Sequence, residues 1–288
     1  MLVALGALVV GAAIGVLTGL FGVGGGFLIT PLLNVLLGVP MPIAVGTGAM
    51  QILGVSAAGL YRRRRSGETD YKVALVLFGG NYVGVRLGAA LLAWLGGLGT
   101  VRLNGREVAA VDVTLLVVFA VVLAGIAFSL AFDASRRADD GPCDGLFAHI
   151  HCPPYTEFPT LTRPRLSLVA MSYLGLALGF LTGLLGIGGG VILVPALIYL
   201  VGMRAHQAAA TSLALIALSS FVAVIIHAGA GNTDLRLAVP LLVGGSVGVQ
   251  LGATLCDRCN GRQLTRSFVY VVAGALLIVL GKLIGLVM

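Results

Sequence analysis

The chain has 288 residues, of which 58% are hydrophobic and only 10% charged, and its formal net charge is +7. A soluble domain carries about 25% charged residues, so a water-soluble globule is excluded; at ~20 residues per span the chain is long enough for roughly eight to ten membrane crossings. The positive charge sits in short loops without aromatic interleaving, which speaks for basic cytoplasmic loops rather than a nucleic-acid partner.

The first predicted helix covers residues 2–21; lacking Lys and Arg, it has no positive n-region and reads as mature helix, not signal peptide. Its end runs into GLFGVGGGFLITP, Gly19 to Pro31, and a short segment at 27–37. Longer segments follow at 43–61, 72–95 and 110–132. A connector at 133–166, rich in Pro, Gly and charge, reads as a loop or lid. Beyond it lie a segment at 167–185, a second glycine stretch GLLGIGGGVILVP from Gly183 to Pro195, and segments at 191–201, 207–228, 237–255 and 266–287. The segments 27–37 and 191–201 rise only ~16 Å against a ~30 Å hydrocarbon core. Each is therefore a half-helix or re-entrant arm, folded back on the preceding helix through the glycines.

Setting residue n against n+164 aligns the halves without a gap from Gly11 to about Ala89. Gly24-Gly25-Gly26 then meets Gly188-Gly189-Gly190, Pro31 meets Pro195, Thr47 meets Thr211, Asp70 meets Asp234 and Gly84 meets Gly248. Matched Asp, Pro and Thr in one register point to a duplication. The equivalent loops differ in charge: RRRRSGETDYK at 62–72 has five basic residues and GAGNTDLR at 229–236 has one. With 62–72 inside, threading the chain puts thirteen of the eighteen Lys and Arg on the cytoplasmic side. Only Arg102, Arg106, Arg236 and Lys282 fall outside, and Arg86 stays in the membrane. The expected fold is an all-α polytopic membrane protein of two inverted-topology repeats. Each has a Gly-rich broken or re-entrant helix pair plus three spanning helices, at 1–132 and 167–288. Both termini lie outside, the connector lies in the cytoplasm, and the membrane is the bacterial cytoplasmic (inner) one.

Inverted repeats with interrupted helices are how many secondary transporters build a site near the midplane. Irregular backbone at that depth is tolerated where protein buries it or a cavity hydrates it. Gly24, Gly25 and Gly26 turn sharply and let a ligand approach the backbone. The helix that follows offers free N–H groups and a positive dipole end, which suits an anion. Gly188, Gly189 and Gly190 supply the second copy. A phosphate loop is excluded because no Lys-Ser/Thr follows the glycines.

Arg86 and its counterpart Gln250 lie at membrane depth; Arg86 either completes the anion site with a charge-assisted hydrogen bond, or snorkels, or pairs with Asp112 or a backbone carbonyl. Asn81, Gln51, Thr47, Thr211 and Ser212, with Ser219 and Ser220, make a polar lining plausible. His227 closes its segment near the outer interface, as a proton relay or an interfacial structural group. No carboxylate pair or nucleophile–base pair lies within the spans, so an enzyme is not expected, nor is a cofactor or a metal. The partners expected are a small anion, the lipid bilayer and a coupling ion, either proton or sodium. Cys256 and Cys259 form CDRC, while Cys143 and Cys152 flank DGLFAHIH in the connector. Unconnected cysteines are the default on the cytoplasmic side; a membrane thiol–disulfide carrier using Cys256 and Cys259 is the alternative from another class, and an anion channel is a third.

The twin glycine stretches, half a chain apart in a small polytopic protein, resemble the TauE/SafE family, also called the sulfite exporter or 4-toluene sulfonate uptake permease family. The resemblance covers both repeats; the connector with its Cys and His is a departure. It implies transport of sulfur-containing anions such as sulfite, sulfoacetate or other organosulfonates. On this chain the matching positions are Gly24–Gly26 and Gly188–Gly190.

Overall fold

The computed structural model describes residues 2–22, 26–64, 67–103, 106–134, 145–149, 152–158, 165–256 and 261–287. Its helices are α1 (Leu2–Phe21), α2 (Gly26–Leu37), α3 (Met41–Arg63), α4 (Tyr71–Gly96), α5 (Ala110–Ala134), α6 (Leu168–Leu185), α7 (Gly190–Ala196), α8 (Ala205–Gly229), α9 (Leu235–Cys256) and α10 (Gly261–Val287). A π-helical turn, Leu197–Val201, continues α7. Among the described residues, seven of the helices are long and apolar enough to cross a membrane. The predicted segments match these helices to within a few residues, except that 266–287 starts five residues late. Two small antiparallel ribbons were not predicted: β1 (Thr100–Leu103) with β2 (Arg106–Ala109), and β3 (Tyr155–Glu157) with β4 (Arg165–Ser167).

Helix starts follow local chemistry. Asp70 caps α4 by accepting from the Lys72 and Val73 amides, and Ser167 caps α6 by accepting from Ala170. The Met41 amide opening α3 donates to Asp112 Oδ1 at 3.0 Å, so Asp112 serves α3 and is not the partner of Arg86. Helix α2 returns along α1, because Leu37 at its end lies beside Gly6 near the start of α1. The hairpin reading of this short segment follows directly.

Packing is reciprocal across the halves. Gly11, Gly15 and Gly19 of α1 lie on the backbone of Leu241, Gly245 and Val249 of α9. At the same offset of 164, Gly175, Gly179 and Gly183 of α6 lie on Leu77, Asn81 and Val85 of α4. The opposing rows, Gly80-Gly84-Gly88 and Gly244-Gly248-Gly252, meet Ser172-Leu176-Phe180 and Leu8-Ala12-Val16. A methyl at any of these glycines would overlap a carbonyl oxygen of the facing helix. Such small-residue rows let membrane helices make dense van der Waals contact where no hydrophobic force separates helix from lipid. Each half thus packs its first helix on the other half's fourth.

The equivalent helices α3 and α8 cross antiparallel. Gly46 near the start of α3 faces His227 near the end of α8, and Gly59 near the end of α3 faces Leu213 near the start of α8. Two matched hydrogen bonds fix the crossing. The Asp70 amide donates to Thr211 Oγ1 at 3.0 Å, and the Asp234 amide donates to Thr47 Oγ1 at 3.0 Å.

One end of the bundle gathers the basic residues. There Arg62 reaches Thr254, Arg63 reaches Cys256, and Lys72 Nζ donates to the Glu157 carbonyl at 2.6 Å while lying over the Phe158 ring. The described parts of the connector dock at this end, with Gly145 against Val201 and Gly202 and Phe158 fully buried.

Gly248→Leu should push α9 off α1 and lower the melting temperature of detergent-solubilised protein by at least about 5 °C. Gly274→Leu, on α10 with nothing within 4 Å, should leave it unchanged in the same thermal-shift assay.

Candidate functional site at the glycine corners

The corners between α1 and α2 and between α6 and α7 are turned by left-handed glycines: Gly22 in the first (φ 68°), and Gly186, Gly188 and Gly189 in the second (φ 66°, 67° and 72°). A side chain is strained in that region, so geometry requires glycine at 22, 186, 188 and 189. Gly24 and Gly25 lie outside the described residues; Gly26 opens α2 and Gly190 opens α7. Ser212 Oγ of α8 donates to the Gly22 carbonyl at 2.6 Å and to Ala209 O at 2.9 Å. It thereby satisfies one of the carbonyls that the end of α1 leaves without a helical partner. Gly186 rests on Val45 of α3.

The two corners touch. Gly26 lies against the Ile187 carbonyl and the Ile52 side chain. A Cβ on Gly188 would stand 3.0 Å from Ile52 Cγ2 and 3.3 Å from Ile216 Cγ2. Ile52 and Ile216 are equivalent across the duplication and fully buried, at the middle of α3 and α8. The corners meet where those helices cross, and this arrangement is closed by apolar side chains.

Next to Ile52 stands Gln51, 0% exposed, with neither its amide nitrogen nor its oxygen hydrogen-bonded. Its Nε2 points at Gly245, where a Cβ would come within 2.6 Å. Glycine at 245 makes room for the amide, and Gly245 is the counterpart of Asn81. Asn81 is also buried with its Oδ1 unpaired, and Thr30 Oγ1 and Ser220 Oγ share that condition. Thr30 lies over Gly48, one turn from Gln51. Buried polar atoms are nearly always paired, and leaving one unpaired costs about 1–3 kcal/mol. A whole amide left so at mid-helix marks a place that serves something other than stability.

The other expected residues divide. Thr47 and Thr211 hold the α3–α8 crossing and do not line the corners. Arg86 is exposed, with its guanidinium 3.4 Å from Tyr82 Oη and 6.0 Å from that ring. Gln250 is exposed too, and its carbonyl accepts from Arg62 at 3.0 Å. Neither is brought to the corners. At about 100° per residue, positions five apart point roughly 140° apart, so inward Asn81 and Gly245 entail outward Arg86 and Gln250. Cys256 is buried and accepts from Arg63 at 3.3 Å, while Cys152 is exposed; Cys143, Cys259 and His151 lie outside the described residues. Sequence reasoning missed Thr30. It missed Thr182 as well, whose Oγ1 lies 3.2 Å from a Cβ position on Gly189. Thr182 was visible as the partner of Thr18 in the aligned repeat.

Two glycine corners that meet at the middle of a bundle of helices long and apolar enough to cross a membrane are a construction that many secondary transporters share. Residues 7–280 match the family model described as Sulfite exporter TauE/SafE, and the chain belongs to that family. It is 28% identical over 257 residues to a probable membrane transporter protein, YjnA, of Bacillus subtilis, covering 89% of this chain and 92% of the relative. It is 26% identical over 275 residues to a probable membrane transporter protein of Xylella fastidiosa, covering 94% and 93%. It is also 24% identical over 270 residues to the probable membrane transporter protein MJ0441 of Methanocaldococcus jannaschii, covering 87% of each. No solved structure matches the chain.

Gln51→Leu should keep or raise the melting temperature, since it removes an unpaired amide worth about 1–3 kcal/mol; a fall of that size would show that the amide is paired. Arg86→Ala should leave transport within about twofold of wild type in proteoliposomes, because the guanidinium lies on the outer face of α4 against Tyr82, away from the corners.

Proposed function

We propose that the protein moves small sulfur-containing anions, such as sulfite, sulfoacetate or other organosulfonates, across the bacterial cytoplasmic membrane by alternating access. The observation that carries the reading is the unpaired Gln51 amide beside the contact of the two glycine corners. Gln51 offers two N–H donors, and the first turn of α2 offers amides without helical partners. Together they make an uncharged, donor-rich lining for an oxyanion at the middle of the bundle. The sulfur class rests on the family description; the relatives' names say only that they are probable membrane transporters.

On this reading the halves are inverted copies, which the antiparallel crossing of α3 and α8 supports. The basic end of the bundle faces the cytoplasm, with the termini outside. The apolar closure by Ile52 and Ile216 then corresponds to a state open to neither side. Alternating access requires the corners to part from those side chains in turn.

Uptake of radiolabelled sulfite and sulfoacetate into proteoliposomes tests the reading. Wild type should show saturable uptake of at least one of them, and Gln51→Leu should lower it by at least about tenfold, the loss of one to two hydrogen bonds at about 1–1.5 kcal/mol each. Uptake unchanged in Gln51→Leu removes the amide from the site. Conductance that does not saturate replaces the carrier with a channel.

A further inference from the structure

We propose that His227 is the proton-binding site of the transport cycle, taking up one proton together with the anion. This inference rests on the anion-transport reading and names the coupling ion for that same site. His227 is 1% exposed and sits one residue along α3 from the second corner: its Cβ faces Gly46, and Gly186 rests on the adjoining Val45. Its Nε2 lies 3.2 Å from the Gly183 carbonyl, in the last turn of α6 before that corner. A carbonyl only accepts, so Nε2 carries the hydrogen, and Nδ1 is the atom of the neutral ring that receives a proton.

The duplication supplies the second observation. The equivalent of His227 is Arg63, which is 9% exposed, a permanent cation close to the bundle end. Arg63 has a counter-charge, Glu68, at 3.9 Å, and a thiol partner in Cys256. The same place in the fold thus holds a buried cation when an anion stands beside it. His227 has no such carboxylate among the described residues. On the elements packed around it, α6 carries no charged residue, and Arg62, Arg63 and Lys72 lie at the far ends of α3 and α4. Arg86 is on the outer face of α4. On its own helix, His206 and the Arg204 cap lie at the opposite end. In the turn after α8, Asp234 Oδ1 is engaged by the Arg236 amide, and Arg236 is itself exposed. A proton on Nδ1 therefore gains a counter-charge when an anion enters at the corner. An entering anion in turn gains a cation that the site otherwise lacks. Each favours the other by the same factor, as linkage requires.

Initial sulfite uptake is measured in proteoliposomes at one external pH, with and without an alkaline interior. The wild-type ratio should stand clearly above one, because the inward proton gradient draws the anion in with the proton. The ratio should fall to about one in both His227→Gln and His227→Arg, the latter copying Arg63. A ratio that survives in either variant overturns the proposal. A second measurement does not need transport. Histidine NMR of labelled protein in nanodiscs, assigned by the His227→Gln spectrum, follows the ring from about pH 5 to about pH 9. Its midpoint should rise by at least about 0.7 units when sulfite is added, a fivefold binding coupling at the low end of the usual range. A ring that does not titrate, or a midpoint indifferent to sulfite, overturns the proposal. Wild type that moves no sulfite, with a His227 midpoint that does respond, sinks the transport reading and leaves the linked proton and anion site standing.

Discussion

The structure depends on how closely two pairs of helix backbones approach: α1 with α9, and α4 with α6. Membrane helices gain nothing by hiding apolar side chains from lipid, so their association relies on packing and on polar contacts. Here glycines every fourth residue on both members of each pair let each carbonyl row fill the groove of the other. Because the rows come from opposite halves, this contact is also what ties the halves together. The α3–α8 crossing lies between the two pairs, and the corners meet on it.

That order of constraints accounts for the composition. Glycine is spent in two ways that the sequence alone writes alike. In the rows, Gly15 or Gly248 sits inside a helix and is defined by what it touches. At the corners, Gly22 and Gly186 have a backbone that other residues rarely adopt. Polar residues are spent in two ways as well. Thr47, Thr211 and Ser212 are satisfied and hold architecture; Gln51, Asn81, Thr30 and Ser220 are buried with unpaired atoms. The second set keeps unpaired atoms inside the bundle, and Gln51 is the chain neighbour of Ile52, on which the two corners meet.

Much of the fold was legible because hydrophobic run length, breaks at Gly and Pro, and a fixed repeat offset are properties of the chain itself. The short arms at 27–37 and 191–201 were too brief to span, and the first returns along α1 as a hairpin arm. The ribbons β1–β2 and β3–β4 were not legible. They are three or four residues long with mixed polarity, and β3 and β4 are separated by seven residues in a segment rich in Pro, Gly and charge. The site was legible in part. Gln51 was found as a polar residue in an apolar run. Arg86 attracted attention for the same reason, although helical phase relative to Asn81 places it on the other face. The roles of Thr47 and Thr211 were hidden because their partners are backbone amides of Asp234 and Asp70, far along the chain. Side-chain type does not reveal such a partner.

The exchange of partners between halves also bears on how the molecule is made. Gly11 of α1 finds its complement at Leu241 of α9, so α1 is synthesised well over two hundred residues before its partner. Throughout synthesis its glycine groove faces lipid or the insertion machinery, and α4 waits likewise for α6. The two halves therefore cannot mature one after the other as independent folding units. A chain halted before α9 leaves α1 without the glycine row that its own row fits.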